Sequence, residues 1–355
     1  MAKLTSHERF KRMYEHREAD RVPIMDSPWE STIERWEAEG MPKGMDYRDY
    51  FDLDKTADIS VDNSPRYEQK ILEETDTYKI YTTEWGATLK GLKHHGHVPE
   101  FLDFKIKDYE RWLEAKSRMS FDESRIPWDY LKANYDRWKA EGRWIKANFW
   151  FGFDVCHSWA VGTERFLMAM IEEPEWCTDM YETYLKLDLE LMQRVWDAGY
   201  HFDEITWCND MGYKQNQFFS MRMYRAMDKP FQKIAVDWAH NHGAYARLHS
   251  CGDIRPFVPE LVDMGLDGLN PLEVKAGMDP IELKRLYGDK LVFHGGINAV
   301  LWDNEEAISE EIKRVVPVMK ENGGYIFATD HSVPDNVSLE SFGRIIELAK
   351  KVGSY

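Results

Sequence analysis

The chain has 355 residues and a formal net charge of -17, with 43% hydrophobic and 14% aromatic residues. That length suits one large (β/α) unit with a sizeable core, and the acidic balance argues against nucleic acid or an anionic membrane as main partner. Four cysteines, Cys156, Cys177, Cys208 and Cys251, make no disulfide framework in a chain this long. With no signal-peptide pattern and no apolar run of membrane-spanning length, the sequence predicts a reducing, cytoplasmic setting.

Thr5-Ser-His-Glu8 reads as a capping box ahead of Phe10, Met13 and Tyr14 on one helical face. Arg21-Val-Pro-Ile-Met25 reads as a short first strand. From about 29 to 110 no regular β/α rhythm appears, so this half is expected to carry insertions around a barrel mouth. Lys79–Gly86 alternates as a strand does. The cluster Lys93-His-His-Gly-His97 invites a metal reading, but a local histidine group in a glycine-containing loop reads better as a solvated turn.

The second half is regular. Trp144–Phe149 is a strand candidate, and a helix follows from about Thr163. Pro174 opens a long amphipathic helix stopped by Gly199. Phe202–Cys208 is a strand running into Asn209-Asp-Met-Gly212, and a helix covers about 221 to 241. Tyr245–His249 is a strand followed by Cys251 and Gly252, and an amphipathic helix with Phe257, Val258 and Leu261 comes next. Gly268-Leu-Asn270, Leu291–Gly296 and Gly324–Thr329 are further strands, with helices over about 305–322 and 339–351. Short apolar strands alternating with helices imply a parallel sheet. The number of units favours an α/β fold of the (β/α)8 TIM-barrel type, one domain over 1–355 with an N-terminal helical extension. No strand is followed by a dinucleotide fingerprint or phosphate loop.

His249 and Cys251 are two residues apart at a strand's end, so an imidazole and a thiol share a face. The pair suits a soft metal, and equally a buried thiol beside a hydrogen-bonded core histidine. A barrel sharpens the choice, because its catalytic groups gather at the C-terminal strand ends. Asp210, Glu273 and Asp330-His331 all follow predicted strands, so His249, Cys251 and His331 form the candidate metal set. Asp210 and Glu273 are the candidate catalytic acids, and with Asp330 each also suits orienting a ligand imidazole or capping a helix. Trp150, Trp207, Asn209 and Asp330 are candidate substrate contacts. The aromatic residues Trp29, Phe149, Trp150, Phe151, Phe153, Trp159 and Trp207 could line a pocket for a methoxylated aromatic, or simply pack the barrel.

Several stretches carry a resemblance. Asn209-Asp210-Met-Gly212, Leu248-His-Ser-Cys-Gly252, Gly268-Leu-Asn-Pro271, Tyr287-Gly-Asp-Lys-Leu291, Gly295-Gly-Ile297 and Pro334-Asp-Asn-Val337 resemble the uroporphyrinogen decarboxylase superfamily, as do Asp20-Arg-Val-Pro-Ile24 and Trp85-Gly86. The resemblance implies a (β/α)8 barrel throughout. The true decarboxylases carry arginines after the first strand to pair with the tetrapyrrole's carboxylates. Here that stretch reads Met25-Asp-Ser-Pro-Trp-Glu-Ser31, without arginine. The chain is more similar to the cobamide-dependent methyltransferase branch, whose members bind zinc through an H-x-C pair and a later cysteine. His249 and Cys251 match the pair, and His331 stands at the later position. One thiolate and two neutral imidazoles leave zinc at about +1, which suits activating an ether oxygen; two thiolates leave it near zero, which suits holding a thiolate.

The resemblance thus implies a zinc-dependent methyltransferase taking a methyl group from an O-methyl substrate to a Co(I) corrinoid. That corrinoid (a cobalamin-type cofactor) is expected on a separate partner protein, since the D-x-H-x-x-G cobamide motif is absent from the sequence. A methylcobamide:thiol methyltransferase is the alternative, and a decarboxylase is disfavoured. A homodimer is compatible with this reading.

Overall fold

In the computed structural model residues 3–93 and 98–355 are described; the histidines of the 93–97 stretch lie outside the described residues. Seven parallel strands run in one sheet in this order: Thr56–Ser60, Trp144–Phe149, Glu204–Cys208, Tyr245–His249, Gly268–Asn270, Val292–His294 and Tyr325–Ile326. The eighth position belongs to residues 21–25. Ile24 bridges Phe327 in parallel, and Phe327 N–H donates to Pro23 O at 2.8 Å. On the other side Asp54 N–H donates to Ile24 O at 3.2 Å. The short apolar run expected as the first strand therefore closes the (β/α)8 barrel.

The helices expected in the second half are present, including Thr163–Glu172, Pro174–Asp197, Lys229–Asn241, Glu305–Met319 and Leu339–Gly353. One barrel strand had escaped the sequence reading. Thr56-Ala-Asp-Ile-Ser60 is short, and its charged Asp58 breaks the apolar run that marks the other strands. After it comes the expected mouth insertion, an antiparallel four-stranded sheet of Ile71–Glu74, Tyr78–Thr82, Ala87–Leu92 and Glu100–Phe104. No helix among the described residues is long and apolar enough to cross a membrane.

The barrel interior is polar. In Tyr245–His249, Ala246 and Leu248 are fully buried, while Arg247 and His249 line a cavity inside the barrel. Lys146 with Asn148, and Thr206 with Cys208, alternate onto the same cavity. Most barrels fill this space with branched apolar residues, so a polar interior costs packing energy and marks a working cavity.

The opposite end is plugged. The capped helix Ser6–Tyr14, with the Thr5/Glu8 capping box in place, brings Tyr14 Oη to Glu204 Oε2 at 2.7 Å. Trp144 Nε1 donates to the same oxygen at 2.9 Å, and Arg247 Nε holds Glu204 Oε1 at 2.6 Å. Tyr14 stacks on Tyr245 at 4.4 Å, which seals the floor with aromatic surface.

Candidate metal centre and barrel-mouth cavity

Parallel register puts His249 beside Cys208 on one neighbouring strand and beside Asn270 on the other. The chain then leaves the strand, and Cys251 returns to the rim from the following turn. Cys251 Sγ lies 3.4 Å from His249 Nε2. Asp210 Oδ1 lies 3.8 Å from His249 Nε2, 3.7 Å from Cys208 Sγ, and 2.8 Å from the Cys251 backbone nitrogen that donates to it. Among the described residues, the one group of three or more such donors mutually within 4.8 Å is Cys208, Asp210 and His249.

These spacings fit a cation. Bonds of 2.0–2.3 Å around tetrahedral zinc give ligand-to-ligand edges of about 3.3–3.8 Å, and the side-chain separations of 3.4, 3.7 and 3.8 Å fall within that range. The tautomer also fits. His249 Nδ1 is 2.7 Å from Asn270 Oδ1, an oxygen that Arg247 Nη1 also approaches at 3.3 Å. An amide oxygen only accepts, so Nδ1 carries the proton and Nε2 faces the other donors with its lone pair.

Electrostatics around the donors is lopsided. Burial pushes the Cys251 thiol well up from its ordinary value, and Asp210 and Glu273 push it further. Cys208 is raised likewise, by burial and then by Asp154 and Asp210. Burial also raises Asp210. Asp154 is the exception: burial raises it, but His157, 3.5 Å away, and its hydrogen-bond partners bring it net below the usual carboxylate range. Acids and thiols crowded together favour a positive charge among them.

Backbone contacts hold the two site loops together. Gly252 adopts φ +83°, and a Cβ there would meet Gly212 C at 2.2 Å and Tyr213 N at 2.4 Å. The Gly252 N–H donates to Glu273 Oε2 at 2.6 Å. Asp330 accepts Ala299 N–H and Val274 N–H, both at 2.8 Å, so it ties three mouth loops while lining the cavity.

The other expected residues divide. His331 lines the same cavity but stands outside the donor group, exposed, with its ring tilted against Trp29 at 5.8 Å between centroids. Trp150 also lines the cavity, while Trp207 borders it only from its strand and packs its ring in the core against Phe151. Asn209, expected to touch substrate, is fully buried instead. Its Oδ1 accepts Asp154 N–H at 3.2 Å and its Nδ2 donates to Asp228 at 2.6 Å, so it positions the mouth loops. Phe151 and Phe153 pack in the core, whereas Trp159 lines a neighbouring cavity that shares Trp150. His294 packs at the rim, with Nδ1 toward Arg247 and Nε2 toward Met25 O.

Sequence reasoning had not singled out Cys208 as a donor or Asn270 as the group that orients His249. Both end strands flanking Tyr245–His249, which was the available signal. A second signal was missed as well. The residues after Phe149 form a π-helix, Val155–Val161, that begins beside Asp154, and such turns recur at functional sites.

A closed α/β barrel with a metal-competent donor group at its C-terminal mouth defines the class of protein. Residues 156–352 match the profile of the family described as uroporphyrinogen decarboxylase (URO-D), and the chain belongs to that family. In fold it is similar to a methyltransferase from Methanosarcina mazei, with TM-score 0.66 and 14% identity over 98% of this chain and 99% of that one. A psychrophilic glycoside hydrolase family 10 endo-beta-1,4-xylanase aligns at TM-score 0.38 and 13% identity, over 60% of this chain and 73% of that one. No curated protein matches the sequence.

Proposed function

We propose that this protein is a zinc-dependent methyltransferase that passes a methyl group from an O-methyl donor to the Co(I) corrinoid of a separate protein. The observation that carries the reading is the donor group on the cavity rim, spaced for one cation and adjoining the Trp150 indole. The fold shared with a methyltransferase points the same way.

Three of the four donors His249, Cys251, Cys208 and Asp210 would hold the zinc and leave its fourth position open to substrate, with Asn270 fixing the imidazole from behind. Bound there, zinc would draw charge from the oxygen that the methyl group leaves. The C–O bond breaks with its electron pair staying on oxygen, which then takes up a proton. His331, exposed on the cavity wall, serves that departing oxygen rather than the cation. Glu273 anchors the Gly252 amide and so keeps Cys251 at the rim. Trp150 walls the donor's apolar body.

A second reading is favoured by one feature. With both thiolates and the neutral imidazole as its three ligands, zinc would sit at a formal charge near zero, a poorer Lewis acid and a better carrier of a bound thiolate. That favours methyl transfer from methylcobamide to a thiol. The deciding experiment supplies zinc-loaded protein with reduced corrinoid protein and methoxylated donors, then with methylcobamide and small thiols. Methylation of Co(I) by the ethers supports the first reading. Thiol methylation alone replaces it with the second, and no transfer in either direction overturns both.

A further inference from the structure

Two cations lie below the donor group, Lys146 and an Arg247 already engaged with Glu204, Asn270 and His294. Lys146 and Arg247 both line the cavity, each two residues below a rim residue of its own strand, Asn148 and His249. Two residues of strand rise amount to about 6.6 Å.

The groups around them favour an anion. The cavity's own carboxylates are already satisfied as acceptors. Asp330 takes two backbone N–H groups, and Asp26 takes Ser27 N–H, Thr329 N–H and Thr329 Oγ1. Glu204 is saturated by Arg247, Tyr14 and Trp144. Lys146, by contrast, can donate three N–H bonds, and its ion-pair partner among the described residues is Asp58 at 3.0 Å. Asp58 is also bonded by Asn148 Nδ2 at 3.3 Å and is half exposed, so its charge is shared and partly solvated. The hydrogen-bonding capacity left over on the floor is donor capacity beneath aromatic walls.

We propose that Lys146, with Arg247 behind it, forms an anion subsite on the barrel floor, and that the cavity's ligand is a carboxylate-bearing methoxyarene. The subsite rests on the methyl-donor reading of the cavity. The cavity, about 350 Å³, accommodates one substituted ring.

The test is calorimetric binding of 4-methoxybenzoate and its neutral isostere 4-methoxybenzamide to wild type, Lys146→Gln and Lys146→Arg. The wild type should prefer the acid by roughly tenfold, the effect of one hydrogen bond to a charged group. Lys146→Gln should bring the acid-to-amide ratio near one, and Lys146→Arg should restore the preference. The ratio is the readout because a merely loosened cavity weakens both ligands alike. Equal binding of acid and amide, binding of neither, or a preference that survives Lys146→Gln overturns the subsite. Binding requires no corrinoid protein, so the two readings fail separately. An acid preference without methyl transfer leaves the subsite and removes the proposed reaction. Transfer from neutral methoxyarenes as readily as from acids does the reverse.

Discussion

His249 Nδ1 and Asn270 Oδ1 are 2.7 Å apart, and this contact sets which imidazole nitrogen the cavity sees. A leucine at 270 removes the acceptor, frees the ring to rotate and lets the other tautomer compete. Losing a partner behind a metal-bound histidine weakens metal affinity by roughly 10- to 100-fold. Asn270→Leu should therefore show that loss in a zinc competition titration while remaining folded. An unchanged affinity would mean that His249 is not a ligand.

The donor assignment separates Cys208 from His331. Cys208 belongs to the compact group, and His331 lies outside it against Trp29. Cys208→Ser and Cys251→Ser should each lower zinc content and weaken the sulfur-to-metal charge-transfer bands of the cobalt-substituted protein. His331→Ala should keep full metal and lose turnover. Zinc lost from His331→Ala with Cys208→Ser unaffected would restore a ligand set of His249, Cys251 and His331.

Much of this architecture was legible from sequence because periodicity reports burial. The strands Glu204–Cys208 and Tyr245–His249 announce themselves through alternating apolar residues that face the helices. The H-x-C pair was legible because its two members are local. Cys208 and Asn270 were not, since their roles depend on which residue each meets across the sheet, and pairing register is a long-range property. Asn209 misled for a related reason: next to a rim carboxylate in sequence, it points the other way, into the core. Thr56–Ser60 was missed because a polar barrel interior puts Asp58 where the usual strand pattern expects an apolar side chain.

Asp228 gives a pH prediction away from the metal donors. Fully buried, it accepts from Asn209 Nδ2 and Gln232 Nε2, and burial raises its carboxyl to about 7 despite both bonds. An unfolded aspartate titrates near 3.9, so between about pH 4 and 7 the folded state holds the extra proton. Stability from this group is then fully present below pH 4 and is lost as pH rises toward 7. Urea midpoints against pH should fall across that window in the wild type and be flatter in Asp228→Asn, which keeps an acceptor without a charge. Parallel curves for the two proteins would show that Asp228 is ionised in the fold.

Gly252 and Gly212 bring the last prediction, which concerns how the donors are held. The turn after Cys251 runs against the turn after Asp210 with backbone touching backbone, and a methyl at 252 would lie 2.2 Å from Gly212 C. Unlike a clash with a long side chain, this one cannot be relieved by rotamer change. Gly199 is the control, because it also has positive φ, +92°, but nothing lies within 4 Å of its Cβ position. Gly199→Ala pays only left-handed strain, about 1–2 kcal/mol. Gly252→Ala adds the forced separation of the two loops, which should lower Tm further than Gly199→Ala does and reduce zinc affinity, since Cys251 and Asp210 move apart. Thermal melts with and without zinc measure both effects: the metal-induced rise in Tm should shrink in Gly252→Ala and stay at the wild-type value in Gly199→Ala. Equal Tm losses with an undiminished zinc response would show that loop contact does not set the donor geometry.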